Sequence, residues 1–370
     1  MVGAPTRCAC VIGSVWWPLL AAEILSLAVV APRLWRASRG GRRLSSVVTD
    51  RNDAADISVV IPARNEAGRI TDCIIPLRNA PGVREVIVVD DQSSDDTASI
   101  ARALGAVVVT GEPLTDGWVG KIWALHQGIQ AATGEIVVTL DADARPDASL
   151  PRAATNALRD SGAKLATVAP RFRLASSTGR WLHASMLTSL VYRHGAGGGT
   201  ASRDAIANGQ CMVFRREDAV RGAWCESVKQ HIVEDVALVR HLVQTGENVE
   251  MFDGSSVLAV QMFDGFSDTW RGWGRSLALT GVDRVNRQLA DLFVTAVTLV
   301  LPLWLVMLDG ASPISFVLLF CRVGTLIGTR RAYERRGIGY WLSPLADLLA
   351  WIVVAKGVVS PPREWRGRKY

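Results

Sequence analysis

Short apolar runs, rich in β-branched residues and cut off by polar loops, set the rhythm of the first half of the chain. They are Asp56-Ile57-Ser58-Val59-Val60-Ile61-Pro62, Arg84 to Asp91, Ala106 to Thr110, and Glu135-Ile136-Val137-Val138. Runs of this length and makeup predict buried strands. Pro62, having no N–H, is expected to end the first ladder. Helical stretches separate the strands. One leads to Arg78. One starts after Gln92-Ser93-Ser94-Asp95-Asp96-Thr97, which supplies turn and N-cap chemistry, and stops at Gly105. A third runs to Ala132, with Val119, Ile122, Trp123, His126 and Ile129 along one side. Strand and helix alternating through short loops predict a doubly wound α/β sheet. In such sheets ligands bind outside the carboxyl ends of the strands.

The same reading continues downstream. Ser149 to Asp160 predicts a helix stopped by Gly162, and Lys164 to Ala169 a strand. Arg180 to His194 is amphipathic and suits either the core or a membrane surface. Gly195 to Gly199 is a glycine run, a candidate lid. Asn208 to Phe214 reads as loop then strand, and His231-Ile232-Val233-Glu234-Asp235-Val236 opens a helix that ends before Gly246.

The two ends of the chain follow a different pattern. Cys8 to Ala31 is apolar apart from Glu23 and is followed by Arg33, Arg36, Arg39, Arg42 and Arg43. It is long enough to cross a bilayer, and the arginines after it predict a retained anchor with the following domain in the cytoplasm. Leu292 to Leu308, Pro313 to Gly328 and Trp341 to Val359 are further apolar segments, with Arg330, Arg331, Arg335 and Arg336 between the last two. Asp347 and Lys356 inside the final segment point to an interfacial or re-entrant helix rather than a span. The expected division is 1–50 anchor and basic linker, 51–285 cytosolic α/β domain, and 286–370 membrane helices and basic tail. The expected location is the cell membrane, multi-pass. Mean hydropathy is +0.20 and the net charge is +6, with arginines at the membrane edges. That charge suits anionic lipid headgroups. No aromatic–basic interleaving marks a nucleic-acid partner. Cysteines 8, 10, 73, 211, 225 and 321 form no C-x-x-C pair, so they receive no chemistry.

The candidate chemistry is carboxylate chemistry. Asp141-Ala142-Asp143 closes the fourth strand. If that segment is extended, both side chains point the same way and form a compact oxygen site for Mg²⁺ or Mn²⁺, completed by water and substrate phosphates. Arg64-Asn65-Glu66 and Asp90-Asp91 also stand at carboxyl ends, so the fold gathers all three around one crevice. Glu234-Asp235 opens a helix, where the dipole favours an acid; a structural and a catalytic reading both remain open for it. The first strand is not followed by G-x-G-x-x-G, nor by a Walker lysine loop, which sets aside dinucleotide oxidoreductases and P-loop NTPases.

Together these motifs resemble the GT-A fold, family-2 glycosyltransferases, inverting enzymes that use nucleotide sugars. Val60-Ile61-Pro62-Ala63-Arg64-Asn65-Glu66 is similar to their first nucleotide loop, and Val89-Asp90-Asp91-Gln92-Ser93-Ser94-Asp95-Asp96-Thr97 to the element whose acid reads the base. Asp141-x-Asp143 is similar to their metal site, and Glu234-Asp235 to the pair whose aspartate is the catalytic base. The resemblance covers about residues 56 to 285. Gly117-Trp118-Val119-Gly120-Lys121-x-Trp123-Ala124 and the tail Trp365-Arg366-Gly367-Arg368-Lys369-Tyr370 are similar to hopanoid-associated and carotenoid members. Trp270-Arg271-Gly272-Trp273-Gly274-Arg275-Ser276-Leu277 is nearer the carotenoid ones. The (Q/R)-x-x-R-W motif of processive and ceramide-type members has no R-W pair here, which favours a single sugar transfer.

The resemblance implies a GT-A doubly wound mixed sheet with transmembrane helices at both ends. It also implies transfer of one hexose, glucose first, from a nucleotide sugar, UDP-glucose first, to the hydroxyl of a carotenoid or other isoprenoid in the bilayer. Asp143 and Asp141 would hold Mg²⁺ or Mn²⁺. Pro62, Arg64, Glu66, Asp91, Lys121, Asp141 and Arg275 would bind the donor, Asp235 with Glu234 would do the proton chemistry, and Gln210, Trp270 and Trp273 would meet the acceptor. Trp118, Trp270 and Trp273 are equally suited to be interface anchors. The alternatives are a polyprenyl-phosphate glycosyltransferase, a ceramide- or hopanoid-type lipid glycosyltransferase, a nucleotidyltransferase, and a membrane scaffold with a degenerate nucleotide pocket.

Overall fold

The computed structural model describes residues 7–39, 41–45, 56–195, 205–274, 277–279 and 281–360, with backbone alone for 7–16, 364–365 and 368–369. The strands are β1 (Arg42–Arg43), β2 (Ile57–Ala63), β3 (Val83–Asp90), β4 (Val107–Thr110), β5 (Ile136–Leu140), β6 (Ala144–Pro146), β7 (Leu165–Ala169), β8 (Arg171–Arg173), β9 (Cys211–Arg215), β10 (Val249–Asp253) and β11 (Leu258–Gln261). The helices begin with α1 (Arg7–Ser38), α2 (Ile70–Ile74), α3 (Thr97–Ala103), α4 (Gly120–Ala131), α5 (Leu150–Ser161), α6 (Ser177–His194), α7 (Arg216–Arg221) and α8 (Trp224–Ser227). They continue with α9 (Glu234–Gln244), α10 (Phe266–Gly274), α11 (Val285–Thr295), α12 (Leu301–Met307), α13 (Pro313–Thr329), α14 (Gly337–Trp341) and α15 (Asp347–Val359).

The main sheet has the order β1-β10-β7-β9-β5-β2-β3-β4. Only β9 runs antiparallel to its neighbours, β5 and β7. The sheet is therefore mixed and covered on both faces, and strand alternation divides its side chains between two cores. Val59, Ile61, Val88 and Val138 pack with α2 and α5 on one face. Val60, Ile87, Val89 and Val137 pack with α4, α8 and α9 on the other. A small second sheet, β6-β11-β8, flanks the first.

Pro62 does not end its strand, contrary to the sequence expectation. It sits within β2, in register with Val89 of β3, while pairing to β5 covers only Ile57 to Val60. The missing N–H thus falls where the β2 and β5 edges have parted, and the crevice opens at that parting.

Three helical segments are long and apolar enough to cross a membrane: Trp17–Ser38, Val285–Met307 and Pro313–Ala332. The second is α11 and α12 joined through a π turn at Ala296–Val300. Buried polar pairs set the register of these helices. Ser312 and Ser315 donate to Glu23 at 2.5 and 2.6 Å, and Arg33 pairs with Asp291 at 3.0 Å. The segment Trp341 to Val359 is not one helix. A 3₁₀ turn at Ser343–Ala346 separates α14 from α15, and Arg322 of α13 holds Asp347 through bonds of 2.8 and 3.0 Å. The α6 helix is buried at the centre of this half, so the membrane-surface option for it falls away; Leu182 and Met186 pack against Ala350, Val353 and Val354 of α15.

Candidate functional site

The β5 strand ends at Leu140 and the chain turns at once. Ala144 N–H donates to the Asp141 carbonyl at 2.9 Å, and Asp141 N–H to the Gln210 carbonyl at 3.1 Å. The expectation of an extended D-x-D is therefore incorrect: Asp141 to Asp143 form a tight turn. Both carboxylates still line one cavity, because the turn itself forms part of the wall.

That cavity has a volume of about 910 Å³. The expected residues Pro62, Arg64, Glu66, Lys121, Asp141, Asp143, Gln210 and Trp270 all lie on its wall. Two loops at strand carboxyl ends are pinned together beside it. Asn65 and Gln92 both take positive φ, at 54° and 56°, a region in which Asn is among the better-tolerated residues. Asn65 Oδ1 accepts from Ser94 N–H at 2.8 Å, and Glu66 N–H donates to Thr97 Oγ1 at 2.8 Å. Arg64 donates to the Asp91 carbonyl at 2.7 Å. Asp91 itself is buried behind Arg64, one layer back from the wall.

Lys121 joins the acidic motifs. Its Nζ lies 2.9 Å from Asp141 Oδ1 and 3.0 Å from Glu234 Oε1. Burial works against its charge, but Asp141, Glu234 and Asp235 outweigh that and hold the ammonium well above its ordinary value. The sequence offered Lys121 as a phosphate contact; here it also clamps Asp141 of the D-x-D to the Glu234-Asp235 pair. Glu234 and Asp235 occupy the first turn of α9. Asp235 Oδ2 accepts from Gly209 N–H at 2.7 Å and Oδ1 from Val236 N–H at 2.8 Å. Burial raises both carboxyls above the usual range against the opposing pull of Lys121. The pair does not itself line the cavity; it reaches it through Lys121 and through Gly209 and the wall residue Gln210.

This geometry carries two predictions. A Cβ on Gly209 would lie 2.8 Å from Asp235 Cβ and Oδ2, so Gly209→Ala should displace the carboxylate. Misplacement by about 1 Å costs on the order of 100-fold, and turnover should fall by that much while donor binding holds. A lysine-to-methionine change at position 121 should raise both carboxyls further, because it removes the cation that favours their ionised form. A base works deprotonated, so the acid limb of the kcat/KM profile should move to higher pH. An unmoved limb would show that Lys121 does not act on the base.

The C-terminal half contributes a wall that sequence reasoning anticipated only at Trp270. Trp270, Arg271 and Gly274 of α10, with Val353, Lys356 and Gly357 of α15, line the same cavity as the D-x-D. The one available signal was Lys356, a charge inside an apolar run. Trp273 packs elsewhere: its ring meets His183 edge-on at 4.5 Å, so it is not on the wall. Trp118 packs on Trp123 and His126. Arg275, residues 196–199 of the glycine run and residues 366, 367 and 370 of the tail lie outside the described residues. Cys73, Cys211 and Cys225 are buried and burial pushes their thiols up, as inert structural cysteines require.

Asp141 and Asp143 suit a hard divalent cation that keeps water and takes substrate oxygens. Among the described residues no group of three or more His, Cys, Asp and Glu is placed to hold a metal unaided.

A mixed GT-A sheet with acids gathered at its carboxyl ends defines a class of fold, and comparison shows what the chain is similar to. Residues 58–221 match the model of glycosyl transferase family 2. A 4,4'-diaponeurosporenoate glycosyltransferase of Staphylococcus haemolyticus (strain JCSC1435) is 28% identical over 232 residues, 60% of this chain and 61% of that protein. The protein of the same name from Staphylococcus aureus (strain USA300) is 30% identical over 241 residues, 60% of each. The chain thus spans about 60% of the length of the curated relatives it matches. A mannosyltransferase from Pyrobaculum calidifontis, solved with GDP-Man and Mn²⁺, shares the fold. Its TM-score is 0.53 at 18% identity, over 92% of this chain and 98% of that one.

Proposed function

We propose that the protein moves one hexose, glucose in the first instance, from a nucleotide sugar to the hydroxyl of a carotenoid or other isoprenoid held in the membrane, with inversion. UDP-glucose is the expected donor. The observation that carries this reading is a single cavity with two unlike walls. One is the acidic end of an α/β sheet, and the other is α10 and α15 of the apolar helical half. A soluble donor enters from the first side and a lipid acceptor from the second. The names of the staphylococcal relatives support a carotenoid-type acceptor.

Asp143, with Asp141, would hold Mg²⁺ or Mn²⁺ on the donor diphosphate, where the cation supplies Lewis-acid stabilisation of the leaving group. Arg64 and Glu66 border the base and ribose, and Asp91 accepts from the base. Lys121 pairs with Asp141 and Glu234 beside the diphosphate. Asp235 takes the acceptor's hydroxyl proton as its oxygen attacks the anomeric carbon from the face opposite the leaving group. Three membrane-crossing helices with arginines at the sheet-side ends support a cytoplasmic catalytic domain within about residues 51–285.

A second reading has its own support. Lys356 and Arg271 put cations on the acceptor side of the wall, and the staphylococcal relatives are named for an acid, diaponeurosporenoate. A carboxylate or phosphate acceptor arrives already deprotonated and needs no base. Expression in a host accumulating hydroxylated and carboxylated isoprenoids, followed by mass analysis of the lipid extract, separates the two. A hexosylated hydroxyl lipid supports the first reading and a hexosyl ester the second. An unchanged lipid extract contradicts both.

A further inference from the structure

A second cleft, of about 330 Å³, shares no lining residue with the catalytic cavity. It lies at the other end of the small sheet. Gln261 and Met262, at the carboxyl end of β11, reach the catalytic cavity, whereas Ser255 and Ser256, before β11, and Arg171, which opens β8, line this cleft. Arg43, Arg331 and Arg336 complete its basic wall.

Its charge is not balanced from within. Four arginines face two carboxylates, Asp253 and Glu334, and both acids are already engaged. Arg43 lies 3.6 Å from Asp253, and Arg173, outside the cleft, holds Glu334 at 3.0 Å. Arg336 Nε donates to the Arg330 carbonyl. Among the described residues no carboxylate pairs with Arg171, Arg331 or Arg336, and Arg171 Nε is buried with no hydrogen-bond partner. Buried guanidinium donors are costly to leave unmet. Four arginines and two serines lining one cleft match an oxyanion with many acceptor positions, above all a phosphate.

Position then indicates the source. Arg43 follows α1 by a short connection, and Arg331 lies in the last turn of the span Pro313–Ala332. Both segments are fastened to the sheet side of the molecule: β1 pairs with β10, and Glu334 N–H donates to the Phe172 carbonyl of β8 at 3.1 Å. The cleft therefore sits where two membrane-crossing helices end, at the depth of lipid headgroups.

We propose that this cleft binds a phosphate group, and that its place at the ends of two spans assigns that phosphate to the headgroup of an anionic phospholipid. Arg331 and Arg336 are exposed, so Arg331→Gln with Arg336→Gln leaves the fold intact; Arg171→Gln is a separate variant in case the buried position alters β8. The full-length protein in detergent is given phosphatidylglycerol, phosphatidylcholine or inorganic phosphate. Retained adducts are read by native mass spectrometry and stability by the unfolding temperature. One phosphatidylglycerol should stay bound and raise the unfolding temperature, phosphatidylcholine should do neither, and both variants should retain the lipid at least tenfold more weakly. If millimolar inorganic phosphate stabilises the wild type equally, the lipid assignment is overturned and a soluble phosphate is the ligand. Equal retention by wild type and both variants, or no preference for the anionic lipid, overturns the site.

Discussion

Asp235→Asn is expected to abolish transfer to a hydroxyl acceptor while the donor still binds. The substitution is nearly isosteric, so the new amide can keep the bond from Gly209 N–H or from Val236 N–H, the two donors that orient the carboxylate at 2.7 and 2.8 Å. It cannot take a proton. General-base catalysis contributes about 10²–10⁴-fold, and the loss should appear in kcat. Donor affinity, measured by titration with the nucleotide sugar, should change little, since Asp235 stands behind Gln210 rather than on the cavity wall. Weakened donor binding with intact kcat would give Asp235 a structural role at the start of α9. Full activity of the variant on an acidic acceptor would instead support the second functional reading.

Asp143→Ala is expected to remove activity and metal dependence together. Asp141 already shares an oxygen with Lys121 at 2.9 Å, which leaves Asp143 as the main carboxylate ligand for a cation on the diphosphate. Losing it should reduce turnover by about 10³-fold or more, the scale on which charge stabilisation at a developing anion operates. It should also flatten the Mn²⁺ titration expected of the wild type. A wild-type enzyme insensitive to EDTA would contradict the metal assignment.

Much of the α/β half was legible in the chain. Val59, Val60 and Ile61 form a continuous β-branched run because parallel strands are buried on both faces, and that pattern reads as a strand without ambiguity. Glu234 was correctly placed in the first turn of a helix, since the motif carries its own acids there. What failed were features decided by tertiary contacts. Asp141 to Asp143 looked extended because they follow a strand; the turn arises from the Ala144 and Gln210 bonds, one of which comes from a segment far along the chain. Pro62 looked like a strand end, but its vacancy in the ladder falls where β5 no longer pairs. The role of Lys121 required knowing that α4 and α9 approach each other. The cavity wall from α15 was unreadable because an apolar run looks the same whether it meets lipid or protein. Trp270 and Trp273 sit in one short helix, yet only the first reaches the cavity, a distinction that helical phase makes and composition does not.

The central claim is that a sugar donor held by acids at the sheet edge meets a lipid arriving along α15 in one chamber. The direct measurement is a structure of the full-length protein with UDP, Mn²⁺ and an isoprenoid alcohol. The expected result has the diphosphate and cation on Asp143 and Asp141, uracil beside Asp91, and the alcohol's oxygen within reach of Asp235, with its chain along Val353 and Gly357. Nucleotide bound elsewhere, or a lipid whose headgroup lies on the far side of α15 from Asp235, would contradict it.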